Sequence, residues 1–168
     1  MITMPLPTIE ISTPIGKMIA LADSSGITRL CFSENMPALY KPSGAAACHL
    51  ELCAEEIRLY FAGELREFTT PLSLSATAFQ MNVYRVLRNI PYGTISGYGK
   101  LAAALGRPKS ARAVGAANAR NPVAIIVPCH RLTGCNGKLT GYAGGLWRKS
   151  RLLAMEKEFL SMPYNVIR

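Results

Sequence analysis

The sequence changes character at a polar stretch, residues 69–76, which contains Pro71 and has no helical period. Short β-prone runs and one amphipathic stretch precede it, whereas apolar residues recur mostly at helical spacing after it. The stretch therefore predicts a linker between two domains, residues 1–75 and 76–168. With 168 residues, 49% of them apolar, the chain is too apolar for a disordered tail and long enough for a modest core in each half.

The first half predicts a small antiparallel sheet covered by one helix. Residues 23–26 supply a turn between the second and third of its β-prone runs, which are Ile9–Ile11, Lys17–Leu21 and Ile27–Phe32. A helix is expected to begin near Ala46 and to end at Gly63. Its apolar residues recur every three or four positions, at Leu50, Cys53, Ile57 and Phe61.

The second half predicts three short helices before residue 120. Thr77 and Gln80 match a capping box for the first. Ser96 is expected to cap the second, and Gly106–Pro108 to end it. The third, residues 110–119, consists mostly of small residues. Two short helices joined by a Gly-Pro turn are typical of a helix-turn-helix, whose second helix enters a DNA groove.

Basic and acidic residues are divided unevenly between the halves. Residues 1–75 hold five Lys and Arg against eight Asp and Glu, a net charge of −3, whereas residues 76–168 hold fourteen against two, a net charge of +12. No acid lies between Glu67 and Glu156. Such a surface attracts polyanions and releases their counterions on binding, so nucleic acid is the first partner to consider. A basic surface kept for solubility is the alternative.

Nothing in the sequence points to a membrane or to an oxidising compartment. No apolar run approaches the ~18–20 residues that cross a bilayer, and the first residues lack the basic flank and apolar stretch of a signal peptide. The cysteines have no disulfide-framework spacing, so we expect reduced thiols in a cytoplasmic protein. They are Cys31, Cys48, Cys53, Cys129 and Cys135.

The end of the chain predicts a hairpin, a flexible loop and a last helix. Asn136-Gly137 is typical of a tight turn, here between Leu132-Thr133 and Leu139-Thr140. A glycine-rich loop, residues 141–145, leads into a helix expected over residues 146–160. The hairpin would form a wing beside the helix-turn-helix.

Cys129, His130 and Arg131 carry the strongest sign of chemistry. A free thiol is only a few per cent ionised at neutral pH, so a nucleophilic Cys needs a base or a positive neighbour. On an extended segment Cys129 and His130 would point to opposite faces, so contact between them would need a bridging water or a bend. A buried Cys beside a polar His is the alternative.

Glu156 favours the catalytic interpretation. Its neighbours at helical spacing are apolar, which places this carboxylate on the buried face of the last helix, and a buried acid needs a partner. A Glu156 that orients His130 would make it a better base toward Cys129. An Arg is the other candidate partner.

Metal and cofactor sites are weaker interpretations. His49 and Cys53 are four residues apart with Cys48 beside them, but a structural zinc site takes about four ligands. Pro128-Cys129 begins like a zinc-deaminase motif, but position 132 is Leu and no His-x-Glu precedes it. We predict neither a metal nor a cofactor.

The segment Ile125–Arg131, with Ala111–Gly115 before it and Gly141–Gly145 after it, closely resembles the O6-alkylguanine-DNA alkyltransferases, also called methylated-DNA–protein-cysteine methyltransferases. The resemblance is dense from about Phe79 to Glu156, and the length fits bacterial members without a regulatory domain. It implies an α+β fold, with an RNase H-like first domain and a mainly α, winged helix-turn-helix second domain. It also implies an irreversible, single-turnover transfer of an alkyl group from O6-alkylguanine, and less well from O4-alkylthymine, flipped out of double-stranded DNA.

The resemblance also assigns roles. Cys129 would accept the alkyl group, His130 act as base through a water, Glu156 orient His130, Tyr98 stabilise the leaving guanine and Asn121 link helix to active site. Arg112 would replace the flipped base in the stack, from a helix lying in the minor groove. Further DNA contacts are expected from Ser110, Ala111, Gly115, Asn118 and Arg131. The substrate pocket is expected to use Leu132, Tyr142 and the backbone N–H of Ala143. A monomer is expected, with cooperative binding along DNA left open.

Three other functions remain open at this level. An alkyltransferase-like protein binds the lesion without accepting the alkyl group, but such relatives lack the Cys that stands here at position 129. A winged-helix transcription factor would not need Cys129, His130 and a buried Glu156. A Cys-His-Glu hydrolase would leave the helix-turn-helix unexplained.

Overall fold

The computed structural model describes residues 6–33, 40–134 and 137–162. Contacts within the chain divide it into two compact units that meet between Ser75 and Ala76. The first unit contains β1 (Thr8–Thr13), β2 (Gly16–Ala22), β3 (Ile27–Phe32) and α1 (Gly44–Ala62). The second contains α2 (Ala78–Arg88), β4 (Ser96–Gly97), α3 (Tyr98–Ala104), α4 (Ala111–Ala119), a 3₁₀ turn (Cys129–Arg131), β5 (Leu132–Thr133) and α5 (Leu146–Leu160).

The first unit is an antiparallel sheet in the order β1-β2-β3, with α1 packed on it. The central strand β2 is buried at Met18, Ile19, Ala20 and Ala22. Gly63 ends α1 in the left-handed conformation at φ 78°, as its sequence position predicts. The predicted sheet with a covering helix is confirmed. One detail was wrong: Tyr60, not Phe61, is the buried aromatic at the end of α1.

The start of the predicted linker belongs to the first unit, which corrects the sequence interpretation. Glu56 on α1 is buried, and its carboxylate accepts hydrogen bonds from the backbone N–H and hydroxyl of both Thr69 and Thr70, at 2.6–3.0 Å. Ile27 then donates to the Pro71 carbonyl at 2.8 Å and accepts from the Ser73 N–H at 2.9 Å. Two of its polar residues, Thr69 and Thr70, therefore satisfy a buried carboxylate.

The second unit begins with the capping box that Thr77 and Gln80 predict, and α2 ends at its C-cap Asn89. The next prediction was wrong, because α3 is capped by Gly97 and Ser96 makes no cap. Ser96 and Gly97 instead pair in parallel with Leu132 and Thr133. This short pairing holds the start of α3 beside the residues that follow Cys129.

The hairpin expected around Asn136-Gly137 is not the pairing that Leu132-Thr133 makes, since that strand pairs with β4. Asn136 lies outside the described residues. On either side of it, the Gly134 N–H donates to the Lys138 carbonyl at 2.8 Å, and the Gly137 N–H donates to the Gly134 carbonyl at 3.2 Å with Gly137 at φ 75°. These bonds close a tight turn at the predicted place. Helix α5 spans Leu146–Leu160 as predicted. None of the helices in the described ranges is long and apolar enough to span a bilayer.

Candidate active site and nucleic-acid interface

Cys129 opens a 3₁₀ turn that continues through His130 and Arg131. The extended geometry assumed from the sequence is therefore wrong, and the turn supplies the bend. Cys129 is buried, with 6% of its surface exposed. Burial, the largest effect, raises the pKa of its thiol, while a hydrogen bond with Asn121 and the charge of Lys149 act to lower it.

His130 lies next to Glu156, as the burial of that carboxylate suggested. Both are fully buried, and His130 Nε2 lies 2.9 Å from Glu156 Oε1. Burial opposes ionisation of Glu156, but His130 and Arg131 outweigh it and hold its pKa at about 2. Because the ionised carboxylate can only accept, Nε2 carries the proton. Nδ1 is then an acceptor, buried and without a partner among the residues that the structure describes.

Arg131 does not fit the DNA contact expected of it. It is 5% exposed, and its guanidinium donates to both oxygens of Glu156 at 2.9–3.2 Å and to the Ile90 carbonyl at 2.7 Å. The ring of Tyr92 lies 5.5 Å from it. The sequence left open whether Glu156 pairs with His130 or with an Arg, and it pairs with both. The fork of Arg131 is thereby committed to the core and unavailable to a phosphate.

Asn118 is also corrected from a DNA contact to a core residue. It lies on the inner face of α4 with 4% of its surface exposed, and its Nδ2 is 3.5 Å from the Cys129 carbonyl. Its Oδ1 is buried and has no partner within the described part of the chain. Because its neighbours in sequence are mostly small residues, the sequence did not indicate that the Asn118 side chain points into the core.

Asn121 folds the segment that leads to Cys129. Its Nδ2 donates to the carbonyls of Val123 at 3.2 Å and Val127 at 2.8 Å, and its Oδ1 accepts from the Val123 N–H at 3.1 Å. Inside this loop Ile125 has φ 72°, a left-handed conformation that costs a β-branched residue of order 1–3 kcal/mol. The side chain of Asn121 thus stabilises a strained approach to the thiol.

Lys149 is a site residue that the sequence interpretation missed. It is fully buried on α5, and its ammonium donates to the carbonyls of Leu132 and of Thr140, the latter at 2.7 Å. Burial lowers its pKa, and a negative charge on Cys129 would raise it. The helical spacing could have found it, because Lys149 precedes the buried Leu152 by three residues and Glu156 by seven.

The remaining pocket candidates are Tyr98, Leu132, Tyr142 and Ala143. The Tyr98 hydroxyl accepts from Thr140 Oγ1 at 3.3 Å, at the start of α3. The Tyr142 hydroxyl is buried without a hydrogen-bond partner in the described ranges, and burial raises its pKa, with the charge of Cys129 adding to the effect. Leu132 is fully buried and Ala143 is exposed.

Helix α4 presents the candidate DNA surface. Ser110, Ala111 and Gly115 are half-buried, and a Cβ added at Gly115 would lie 3.7 Å from the Tyr98 ring, so the small residue lets the helix and that ring meet closely. Basic and small residues share its exposed face, at Arg112, Ala113, Ala116, Ala119 and Arg120.

The candidate metal ligands are not grouped as a metal site requires in the described part of the chain. No three His, Cys, Asp or Glu side chains within residues 6–33, 40–134 and 137–162 form a group that could hold a metal ion. His49 Nε2 lies 3.4 Å from the Ser24 carbonyl. Cys31, Cys48, Cys53 and Cys129 are free thiols, and burial raises the pKa of Cys53 to about 12. Cys135 lies outside the described residues.

Two family profiles match the chain, one for each unit. Residues 9–74 match the ribonuclease-like domain of 6-O-methylguanine DNA methyltransferase, and residues 78–158 match its DNA-binding domain. The predicted resemblance is therefore confirmed.

Individual relatives agree with these profiles. The methylated-DNA–protein-cysteine methyltransferase of Mycobacterium bovis is 44% identical over 155 residues, which cover 88% of this chain and 90% of that protein. The protein of the same name from Mycolicibacterium paratuberculosis is 55% identical over 103 residues, 61% of this chain and 62% of that protein. A crystal structure of Mycobacterium tuberculosis OGT in complex with DNA has a TM-score of 0.82 at 42% identity, covering 92% of this chain and 94% of that one.

Proposed function

The chain belongs to the methylated-DNA–protein-cysteine methyltransferases, and from this membership we propose that it repairs DNA by moving the alkyl group of O6-alkylguanine onto Cys129. O4-alkylthymine is a poorer substrate of the same reaction. The protein works in the cytoplasm, where reduced thiols persist.

One observation carries the proposal: the base that the reaction requires stands in the same turn as the thiol. His130 uses Nε2 for Glu156, which leaves Nδ1 as a buried acceptor. Burial and the positive charges of Arg131 and Lys149 lower the pKa of His130, while Glu156 acts to raise it. The favoured neutral imidazole can receive a proton at neutral pH.

The reaction is an in-line displacement at the alkyl carbon. The thiol proton passes through a water to Nδ1 of His130, and the sulfur forms a bond to the carbon as the bond from that carbon to guanine O6 breaks. The electron pair of the broken bond goes to the guanine O6/N1 system, where donors such as the Tyr98 hydroxyl stabilise the developing charge. The thioether formed on Cys129 has no route back, so each molecule acts once.

The DNA lies with its minor groove on α4. Extruding a base costs a few kcal/mol, and a side chain that fills the vacated space offsets part of this cost. Arg112 is exposed near the start of α4 and takes this role. Ser110, Ala111 and Gly115 bring the backbone of the helix close to the DNA. A monomer binds the lesion.

The flipped guanine is held mainly by backbone groups. The carbonyls of Cys129 and Leu132 accept from its exocyclic amine, the Ala143 N–H faces O6, and Tyr142 lines the pocket. Asn118 Nδ2 and Lys149 Nζ already donate to those two carbonyls. A carbonyl oxygen has two lone pairs, so a second donor from the substrate can be accommodated.

The test is the mass of the tryptic peptide Asn121–Arg131 after incubation with a duplex that contains O6-methylguanine. We expect this peptide to gain one methyl group while guanine is restored in the DNA. Cys53 serves as an internal control and stays unmodified, because burial holds the pKa of that thiol at about 12. Its tryptic peptide, residues 30–58, also contains Cys31 and Cys48, so fragment-ion masses are used to assign the result to Cys53.

A C129S variant separates transfer from recognition. It is expected to bind the damaged duplex without repairing it. If the wild-type Cys129 peptide gains no methyl group while the lesion persists, the protein recognises damage without accepting the alkyl group, and the proposal is wrong.

A further inference from the structure

Lys149 is a buried cation with no carboxylate partner in residues 6–33, 40–134 and 137–162. Its side chain is fully buried, and its hydrogen bonds within the described residues go to two neutral carbonyls, Leu132 and Thr140. Buried ammonium groups are costly unless a negative charge lies near them. These hydrogen bonds satisfy two of its three N–H donors and leave its charge uncompensated.

The second unit has almost no acid to offer. Between Glu67 and the end of the chain the only carboxylate side chains are Glu156 and Glu158. Glu158 is exposed, and Glu156 is occupied by His130 and by Nε and Nη2 of Arg131. The buried charges of Arg131 and Glu156 cancel each other. Within the part of the chain that the structure describes, the positive charge of Lys149 is then uncompensated unless another group ionises.

The candidate for that negative charge is Cys129, whose thiol belongs to the segment that Lys149 binds. Lys149 donates to the carbonyl of Leu132, the residue that directly follows the Cys129–Arg131 turn, and the Leu132 N–H donates back to the Cys129 carbonyl. The ammonium is thereby fixed to the same short segment as the thiol. Consistent with this position, the charge of Lys149 lowers the pKa of Cys129 and a charge on Cys129 raises that of Lys149.

We propose that Lys149 is the counter-ion of the Cys129 thiolate. It is a positioning residue that acts on the reaction only through Cys129, holding a negative sulfur ready for the alkyl carbon. The proposal rests on the proposed role of Cys129 as alkyl acceptor. It extends the Cys-His-Glu arrangement, since Glu156 and His130 account for removal of the proton and Lys149 for the stability of the charge left behind.

The test measures ionisation of Cys129 with iodoacetamide, which needs neither DNA nor alkylguanine. Sulfur displaces iodide from the reagent, and the rate follows the thiolate fraction. The rate is read from the Asn121–Arg131 peptide between pH 5 and pH 10. We expect K149M to move the midpoint of this profile upward and to slow the reaction at pH 7 by about tenfold, the equivalent of one pKa unit. K149R keeps the charge and is expected to retain most of the rate.

The matched control is K157M, an exposed lysine on the same helix, which is expected to leave the profile unchanged. Other groups that titrate or carry charge around the two partners stay the same in every variant: Tyr84, Tyr142, His130, Arg131, Arg148 and Glu156. A folded K149M protein with the wild-type profile would overturn the proposal, and would reduce Lys149 to a structural clamp on Leu132 and Thr140.

A second measurement does not depend on folding of the Lys149 variants. In protein labelled with ¹³C-lysine, the Cε signal of Lys149 is titrated in the wild type and in C129S. The proposal predicts a lower pKa for Lys149 when the sulfur is gone, and equal values contradict it. Failure of the wild type to take a methyl group from O6-methylguanine would instead count against the proposed function, because both measurements here are independent of it.

Discussion

At the scale of single residues, Glu156 determines how the second unit responds to acid. Its pKa lies at about 2 in the folded protein, against an ordinary value of 4.5. A carboxyl whose folded pKa is depressed contributes stability that is complete above its unfolded pKa and is lost as the pH falls toward the folded one. The contribution of Glu156, about 3 kcal/mol by this difference, therefore disappears between about pH 4.5 and pH 2.

The variant E156Q tests this account. We expect it to lose about 3 kcal/mol of unfolding free energy at pH 7 and to lack the wild-type decline between pH 4.5 and pH 2 that comes from this group. Denaturant titrations over that pH range measure both effects. E158Q changes an exposed acid on the same helix and is expected to stay within about 0.5 kcal/mol of the wild type. Parallel curves for E156Q and the wild type would contradict the assignment.

The sequence predicted the burial of Glu156, although one of the apolar neighbours used in that argument, Leu160, is 45% exposed. It could not predict that Arg131 shares the carboxylate. An arginine in the basic half, next to a catalytic motif, is an ordinary candidate for a DNA contact in sequence. Only the direction of its side chain in the 3₁₀ turn shows that it belongs to the core. Asn118 and Lys149 were misjudged or missed for the same reason.

At the scale of elements, the loop before β3 fixes the segment that ends the first unit. Gly26 has φ 156°, and a Cβ there would lie 2.5 Å from the Pro71 carbonyl oxygen and 2.9 Å from the Leu72 nitrogen. Because these are backbone atoms, they cannot move aside without breaking the bonds between Ile27 and residues 71–73.

We therefore expect G26A to lower the unfolding free energy of the protein by about 3 kcal/mol, in the range of overpacked sites. G44A is the control, since Gly44 also has positive φ, 58°, but no atom lies within 4 Å of its added Cβ. Conformational strain alone predicts a loss of about 1 kcal/mol there. Equal losses in chemical denaturation would show that the close approach to Pro71 is unimportant.

The proposed role of Arg112 on helix α4 leads to a separate prediction about base extrusion. R112A is expected to slow repair of a methylated duplex by about tenfold or more, because the duplex pays the cost of unstacking without a side chain to fill the gap. Reaction with free O6-benzylguanine, which needs no extrusion, is expected to change little. R120A alters the exposed arginine at the C-cap of α4 and controls for the loss of a positive charge. Equal slowing by R112A in both assays would contradict the role of Arg112.

Hydrophobic periodicity and capping residues predicted the helices and strands well where the signal lies within the element itself. The capping box at Thr77 and the Gly63 stop are local, and both were found. The pairing of Ser96-Gly97 with Leu132-Thr133 joins residues far apart in sequence, so no local sequence pattern predicts it. The same is true of Thr69 and Thr70, whose buried partner Glu56 lies on another element.

At the scale of the whole molecule, the uneven charge predicts how DNA binding depends on salt. Removing a cation that neutralises one phosphate reduces the slope of log K against log salt by ~0.9 on duplex DNA. K109A, next to the start of α4, is expected to reduce the slope by about that amount and to weaken binding to all sequences alike. K41A removes an exposed lysine of the first unit and is expected to leave the slope unchanged. Fluorescence anisotropy with an undamaged duplex measures both, and equal slopes for K109A and the wild type would contradict a role for Lys109 in phosphate binding.

The central claim is a transfer that consumes the protein, and stoichiometry tests it most directly. Increasing amounts of an O6-methylguanine duplex are incubated to completion with a fixed amount of protein, and the lesions removed are counted. The account predicts a plateau at one lesion per protein molecule, and none for C129S. Continued removal beyond one lesion per molecule, or removal by C129S, would contradict Cys129 as the irreversible acceptor.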